Sequence, residues 1–236
     1  MKRVCLVQVA VFVLGCSLAD GVLSEAQYEG RKKCSSCHRS QYQSWRDTAH
    51  ARALESLRPG VKPQAKRRAK LDPDKDYSAD RDCVGCHVTG FGSEGGYDAQ
   101  DPSQYLVGVG CESCHGPGSE YRLVHRKSGQ TFERSGKATP RQILADAGQE
   151  YRFEERCNAC HLNYAGSTWK LAREPYTPFT PKVDKKYAFD FARAVTDDKA
   201  MHRHFRLDGV FSGPPTFRLH EQFQSKAKPG EKGGEE

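Results

Sequence analysis

Cys34-Ser35-Ser36-Cys37-His38 is one of four copies of a single five-residue pattern. The others are Cys83-Val84-Gly85-Cys86-His87, Cys111-Glu112-Ser113-Cys114-His115 and Cys157-Asn158-Ala159-Cys160-His161. C-x-x-C-H is the attachment motif of a c-type haem. Its two thiols add across the two vinyl groups of the porphyrin, and the adjacent histidine is placed below the iron as proximal ligand. Paired C-x-x-C units also build zinc sites, and cysteines of exported chains make disulfides. Zinc does not require a histidine after every second cysteine, and a disulfide framework does not repeat one spacing four times. The pattern is therefore read as four covalently bound haem c groups, each with one iron. They are held by Cys34, Cys37, Cys83, Cys86, Cys111, Cys114, Cys157 and Cys160, with His38, His87, His115 and His161 as proximal ligands.

The composition agrees. The chain has 236 residues, of which 36% are hydrophobic, and a mean hydropathy of −0.78. That is too polar for an ordinary core of this size. Four macrocycles answer the deficit, because the chain can be built around them. The expected fold is mostly α: a multihaem cytochrome c, with helices and long loops wrapped around four closely packed covalent haems. Eight of the ten cysteines belong to the motifs, and the other two, Cys5 and Cys16, lie in the N-terminal segment. The formal charge is +7, offset in part by two propionates per haem. Lysine and arginine are spread among aspartate and glutamate, so nucleic acid is not expected as a partner, and docking of a charged redox protein is.

Residues 1–24 read as a secretory signal: Lys2-Arg3, an apolar run from Val4 to Leu14, then small residues. Val13-Leu14-Gly15-Cys16 resembles an imperfect lipobox, which would make Cys16 a lipidated terminus instead. Either way the chain is exported, as covalent haem attachment requires, and the expected location is the periplasm. No later run is long and apolar enough to span a membrane. Residues 25–224 are read as one domain and 225–236 as a disordered charged tail. Tyr42, Trp45, Ala49, Ala53 and Leu57 recur at helical steps, which predicts one helix from His38 to Leu57, stopped by Arg58-Pro59-Gly60. A second helix is expected from Tyr187 to Phe205. The glycines around the second and third motifs are expected in turns and where backbone approaches a ring.

Five histidines remain for the far side of the irons: His50, His125, His202, His204 and His220. Two axial ligands of one iron stand about 4 Å apart. On a continuous helix His50 would lie roughly 18 Å from His38, so it must serve another haem. The simplest arrangement is an exchange in which His50 caps the third haem and His125 the first, with His202 capping the fourth. The second haem has no obvious partner. His204, His220 or Met201 could close it, or its iron is open to a small ligand.

Several stretches are specific beyond the motifs. They are Glu29 to His38, Asp82 to Val88, Gly108 to Gly118, His125 to Gln130, Phe153 to Cys157, Cys160 to Tyr164 and Pro175 to Pro181. In these the chain resembles the cytochrome c-554 family, tetrahaem electron carriers of ammonia-oxidising bacteria, over essentially all of the mature chain. The resemblance implies a monomer that takes electrons from hydroxylamine oxidoreductase and passes them to a membrane-bound c-type cytochrome and the quinone pool. It implies three bis-histidine haems, with distal ligands at His50, His125 and His202, and an open second haem partly covered by Thr177-Pro178-Phe179. It also raises nitric oxide reduction at that open haem as an alternative activity. An enzyme would need a proton donor beside the vacant position, and Thr177 is all the covering segment offers.

Overall fold

The computed structural model describes residues 25–163 and 177–231. The expected leader with Cys5 and Cys16, the stretch from Tyr164 to Tyr176 and the last five residues of the tail lie outside the described residues. The helices are short and the connections long. Each motif sits on or beside a helical segment: α1 (Arg31–Ser35) and α2 (Arg39–Arg46) flank His38, α4 (Arg81–Val84) leads into the second motif, α5 (Cys111–His115) carries the third and α8 (Phe153–His161) the fourth. Between them lie α3 (Pro63–Arg68), α6 (Tyr121–Ser135) and α7 (Gln142–Asp146); α9 (Phe191–Ala194) and α10 (His220–Lys226) follow. Among the described residues no helix is long and apolar enough to cross a membrane.

Strands are two residues long. β1 (Thr139–Pro140) pairs in parallel with β3 (Phe211–Ser212), and β2 (Phe205–Arg206) with β4 (Lys228–Pro229). The second pair corrects the tail boundary: α10 runs through Ser225 to Lys226, and β4 then lies along β2. The Glu231 amide donates to Ser40 Oγ at 2.7 Å, which ties this end to α2.

The helix expected from His38 to Leu57 is broken. α2 ends at Arg46, and a 3-10 turn at Leu54–Leu57 completes the stripe. Thr48 makes the break. Its side chain is fully buried; Oγ1 donates to the Trp45 carbonyl at 2.7 Å and accepts from the Ala51 amide at 3.2 Å. A hydroxyl that takes over backbone partners competes with the helical ladder. The freed backbone groups bond elsewhere: the Ala49 amide to the Lys199 carbonyl at 2.7 Å, and the His50 carbonyl to the Val109 amide at 2.9 Å. The helix expected from Tyr187 to Phe205 also breaks, into a 3-10 turn at Lys185–Tyr187 and the single turn of α9. Asp184, Asp190 and Asp197 each accept an amide two or three residues on, starting a new turn each time.

Only twelve apolar side chains among the described residues are buried. Seven of them, Leu54, Leu57, Tyr77, Val84, Val88, Tyr97 and Leu106, form one cluster, with Cys83 and Phe91 packed against it. This dry core surrounds the second motif. Two glycines beside it are required by close packing. A Cβ on Gly96 would strike the Gly90 carbonyl, and one on Gly90 would lie 2.7 Å from the Tyr28 ring.

Thr89 joins the second motif to the third. It is 2% exposed. Its Oγ1 donates to the Gly108 carbonyl at 2.9 Å and accepts from the Gly110 amide at 2.9 Å and from Ser113 Oγ at 3.2 Å. Thr89→Val keeps the shape and strands buried polar groups, at a cost of about 1–3 kcal/mol. Equilibrium denaturation of the haem-loaded protein should show a lower midpoint at unchanged slope; an unchanged midpoint would remove Thr89 from the account.

Candidate haem sites

Three of the four motif histidines meet a distant histidine, and His202 also has His204 beside it at 5.7 Å. His38 and His125 have ring centroids 5.6 Å apart, His50 and His161 6.0 Å, and His115 and His202 6.5 Å. Two imidazoles ligating one metal from opposite sides stand with centroids roughly 6 Å apart, from a bond of about 2 Å plus the ring radius on each side. All three pairs fit that spacing. Among the described residues no three His, Cys, Asp or Glu side chains converge on a metal-sized site. A porphyrin supplies four nitrogens in its own plane, so two facing imidazoles complete its iron.

His125 reaches the expected partner, His38. The other two expected pairings are exchanged: His50 faces the fourth motif and His202 the third. The Thr48 break is the cause for His50. It redirects the chain after α2, and the bond from Val109 to the His50 carbonyl fixes the residue where its ring points at His161. His202 is free of a long helix and hangs on a turn near the third motif. Its Nδ1 lies 2.7 Å from the Arg203 carbonyl, which sets the tautomer that leaves Nε2 for a metal. Partial burial lowers all three distal rings, His50 and His125 to about 4, and brings His115 down to about 3. Neutral imidazoles with a free lone pair are what ligation requires.

His87 differs. Its Nδ1 lies 2.7 Å from the Ala53 carbonyl and 3.2 Å from Ser56 Oγ. Ser56 Oγ itself donates to the same carbonyl at 2.6 Å, so the ring N–H points at Ala53 and Nε2 is left for a metal. Among the described residues no second imidazole faces it. His204 turns its Nε2 to the Val195 carbonyl at 3.0 Å and stacks on Phe223 at 3.9 Å. His220 stands edge-on to Phe217 at 6.1 Å. Thr177 is anchored on the end of the fourth motif, its amide donating to the Asn163 carbonyl at 2.5 Å. Its Oγ1 accepts from the Phe179 amide at 3.2 Å, and Phe179 packs edge-on against Tyr187 at 5.4 Å. Pro178 lies between them, exposed.

The motifs also touch one another. Cys34 lies beside Cys111, which brings the first motif to the third, and this neighbour together with burial pushes the Cys34 thiol far up. Cys86 and Cys160 join the second to the fourth in the same way. α5 packs on α8, and Arg156 donates to the Ser113 carbonyl at 3.0 and 3.2 Å, which joins the third to the fourth. The eight motif cysteines are free of disulfides. Thioether linkage to haem would remove these thiol protons altogether.

Sequence reading missed the residues that seat the rings. Phe189 stacks on His161 at 4.5 Å, Phe153 stands edge-on to His115 at 5.2 Å, and Phe211 lies 5.0 Å from His125. Nothing local marks Phe189 or Phe211. Ser56 and Ala53 lie on the stripe read as helix, and their partner His87 could not be seen from it.

The comparisons with known proteins agree with this geometry. Residues 33–116 match the family model described as cytochrome c554 and c-prime. The chain is 62% identical over 230 residues to cytochrome c-554 of Nitrosomonas europaea, covering 97% of this chain and 96% of that one. The solved structure of reduced cytochrome c554 from the same organism superposes with a TM-score of 0.85 at 64% identity, over 87% of this chain and 99% of that chain. With its C-x-x-C-H motifs and facing histidines, the chain belongs to the cytochrome c-554 family of electron-transfer proteins with covalently bound haem c.

Proposed function

We propose that the chain is a periplasmic tetrahaem electron carrier. It takes electrons from hydroxylamine oxidoreductase and delivers them to a membrane-bound c-type cytochrome in ammonia oxidation. The observation that carries this reading is the set of three facing histidine pairs, linked motif to motif. Haem c, when bound, supplies the one-electron couple. The chain supplies the rest. Eight cysteine sulfurs would hold the haems, His38, His87, His115 and His161 would be the motif ligands, and His125, His202 and His50 would complete the first, third and fourth sites. Saturated, geometrically fixed ligation limits rearrangement on electron transfer and sets the potentials. The motifs are in contact first to third, third to fourth, fourth to second and, through Thr89, second to third.

One observation favours a secondary activity. His87 is held for ligation by the Ala53 carbonyl and faces no second imidazole, so the second iron is the one open to a small ligand such as nitric oxide. Thr177, the only candidate proton donor of the covering segment, is anchored through its amide on the Asn163 carbonyl, whereas the groups that meet His87 are Ala53 and Ser56. A carrier with an open site therefore ranks ahead of a nitric oxide reductase.

The oxidised, haem-loaded protein should give a high-spin ferric signal from about a quarter of its haem, altered by nitric oxide. A wholly low-spin spectrum that ignores nitric oxide would mean a side chain closes the second iron and would end the reductase reading. Reduction by hydroxylamine oxidoreductase should slow as salt rises; no reduction at any salt would sink the donor assignment.

The ring planes allow the exchanged pairing to be tested. The planes of His115 and His202 differ by 22°, whereas those of His50 and His161 differ by 60° and of His38 and His125 by 79°. Near-parallel axial rings split the iron π orbitals and give a rhombic low-spin signal. Crossed rings leave them close in energy and give a strongly anisotropic one. His50→Ala should convert one strongly anisotropic haem to high spin and leave the rhombic signal intact. Loss of the rhombic signal would return His50 to the third motif.

A further inference from the structure

Glu112 occupies a variable position inside the third motif, yet its side chain is 1% exposed. Its Oε1 accepts the amides of Glu29 at 2.9 Å and Gly118 at 2.7 Å, and its Oε2 accepts the amide of Gly30 at 2.7 Å. Glu29 and Gly30 lead into α1 and the first motif, and Gly118 follows the third. The carboxylate thus sits at the seam between the two motifs, next in chain to Cys111. Space for it is built in: a Cβ on Gly118 would stand 2.8 Å from Oε1.

Of the other charges at this seam, Glu29 has an ionic partner and Arg31 has neutral ones. Glu29 is paired with Arg122, through Nη2 at 2.8 Å and through Nε. Arg31 donates to the Val107 carbonyl and lies over the Trp45 ring. The partners of Glu112 are backbone amides. Burial raises its carboxyl, and the three amide bonds oppose that. A protonated carboxyl would need an acceptor, whereas every hydrogen-bonding group aimed at Glu112 is a donor. Its charge is felt at the Cys34 thiol and at Tyr121 as well as at its neighbour Cys111.

We propose that Glu112 is a potential-setting residue, a fixed buried anion between the first and third haems that stabilises their oxidised irons over their reduced ones. This rests on the reading of Cys34 and Cys111 as haem attachment points. Screening is weak at a buried site, so one charge there acts on both neighbours. The three amides that hold Glu112 all flank the first and third motifs, and none belongs to the second or fourth.

The test is a haem-resolved potentiometric titration of wild type, Glu112→Gln and Glu112→Asp, each first assayed for haem content. In Glu112→Gln the reduced-to-oxidised ratio of the first and third haems at a fixed poise should rise about tenfold, which is 59 mV for one electron. The second and fourth should move less. Glu112→Asp disturbs the amide cradle but keeps the charge, and should stay near the wild-type potentials. Unchanged potentials in a fully loaded Glu112→Gln, an equal shift of all four haems, or the same shift in Glu112→Asp would each overturn the proposal. Wild-type protein lacking haem at Cys34 and Cys111 would instead remove the reading beneath it. Should Glu112→Gln not accumulate, the redox-induced infrared difference spectrum of wild type decides. A buried glutamate carboxylate band must shift in step with reduction of the first and third haems; a silent carboxylate region would sink the idea.

Discussion

Imidazoles facing each other across about the width of one metal and its two bonds tie this chain together. His38 faces His125, His115 faces His202 and His50 faces His161. The partners are separated by 87, 87 and 111 residues. Each closure orders a long stretch of chain, and the cost of closing a loop grows only slowly with its length. Metal binding then becomes folding free energy, because the ligands are assembled only in the folded state. This explains how a chain with a mean hydropathy of −0.78 and so few buried apolar side chains holds a defined shape. Short helices suffice, since each need only present one ring.

The second motif shows the other side of that rule. It faces no distant imidazole, and it is the motif wrapped in the protein's own apolar cluster, from Leu54 to Leu106. Where a ligand cross-link is missing, ordinary packing takes its place. The Ala53 carbonyl, which orients His87, belongs to the turn just before Leu54. The His87 ring is thereby held by the same packed cluster that surrounds its motif.

Much of this was legible in the sequence, and what was not has a physical cause. Four motifs, covalent haem and a mostly α fold with long loops follow from spacing and polarity alone. That His87 has no obvious partner was also visible, with His204, His220 and Met201 left open. The pairing of His50 and His202 was not. It turned on Thr48, a residue whose helix-breaking role depends on its hydroxyl being buried against the Trp45 and Ala51 backbone. Periodicity registers the apolar stripe through Trp45, Ala49 and Ala53 and is blind to that hydroxyl. The same holds for Asp184, Asp190 and Asp197, which interrupt a helix that composition would continue. Glu112 stood in plain view inside a motif, but only its three amide partners distinguish it from a surface glutamate.

The turn at Thr48 also shows how the sites are coupled mechanically. Within two residues the chain bonds to Lys199, three positions before His202, and to Val109, two positions before Cys111. It also carries His50 itself. One tight turn therefore fixes His50, which faces His161, the approach to the third motif and the segment that carries His202. Trp45 adds to the junction by donating its indole N–H to the Val109 carbonyl at 2.9 Å. The third and fourth sites share this single backbone junction, and α5 and α8 pack directly against each other. Their relative position is held on both faces, by helix contact on the proximal side and by the turn on the distal side. For groups exchanging electrons over short gaps, a fixed separation matters more than a strong local fold. The chain accordingly places its buried hydroxyl, its indole and its irregular backbone at the turn that governs that separation.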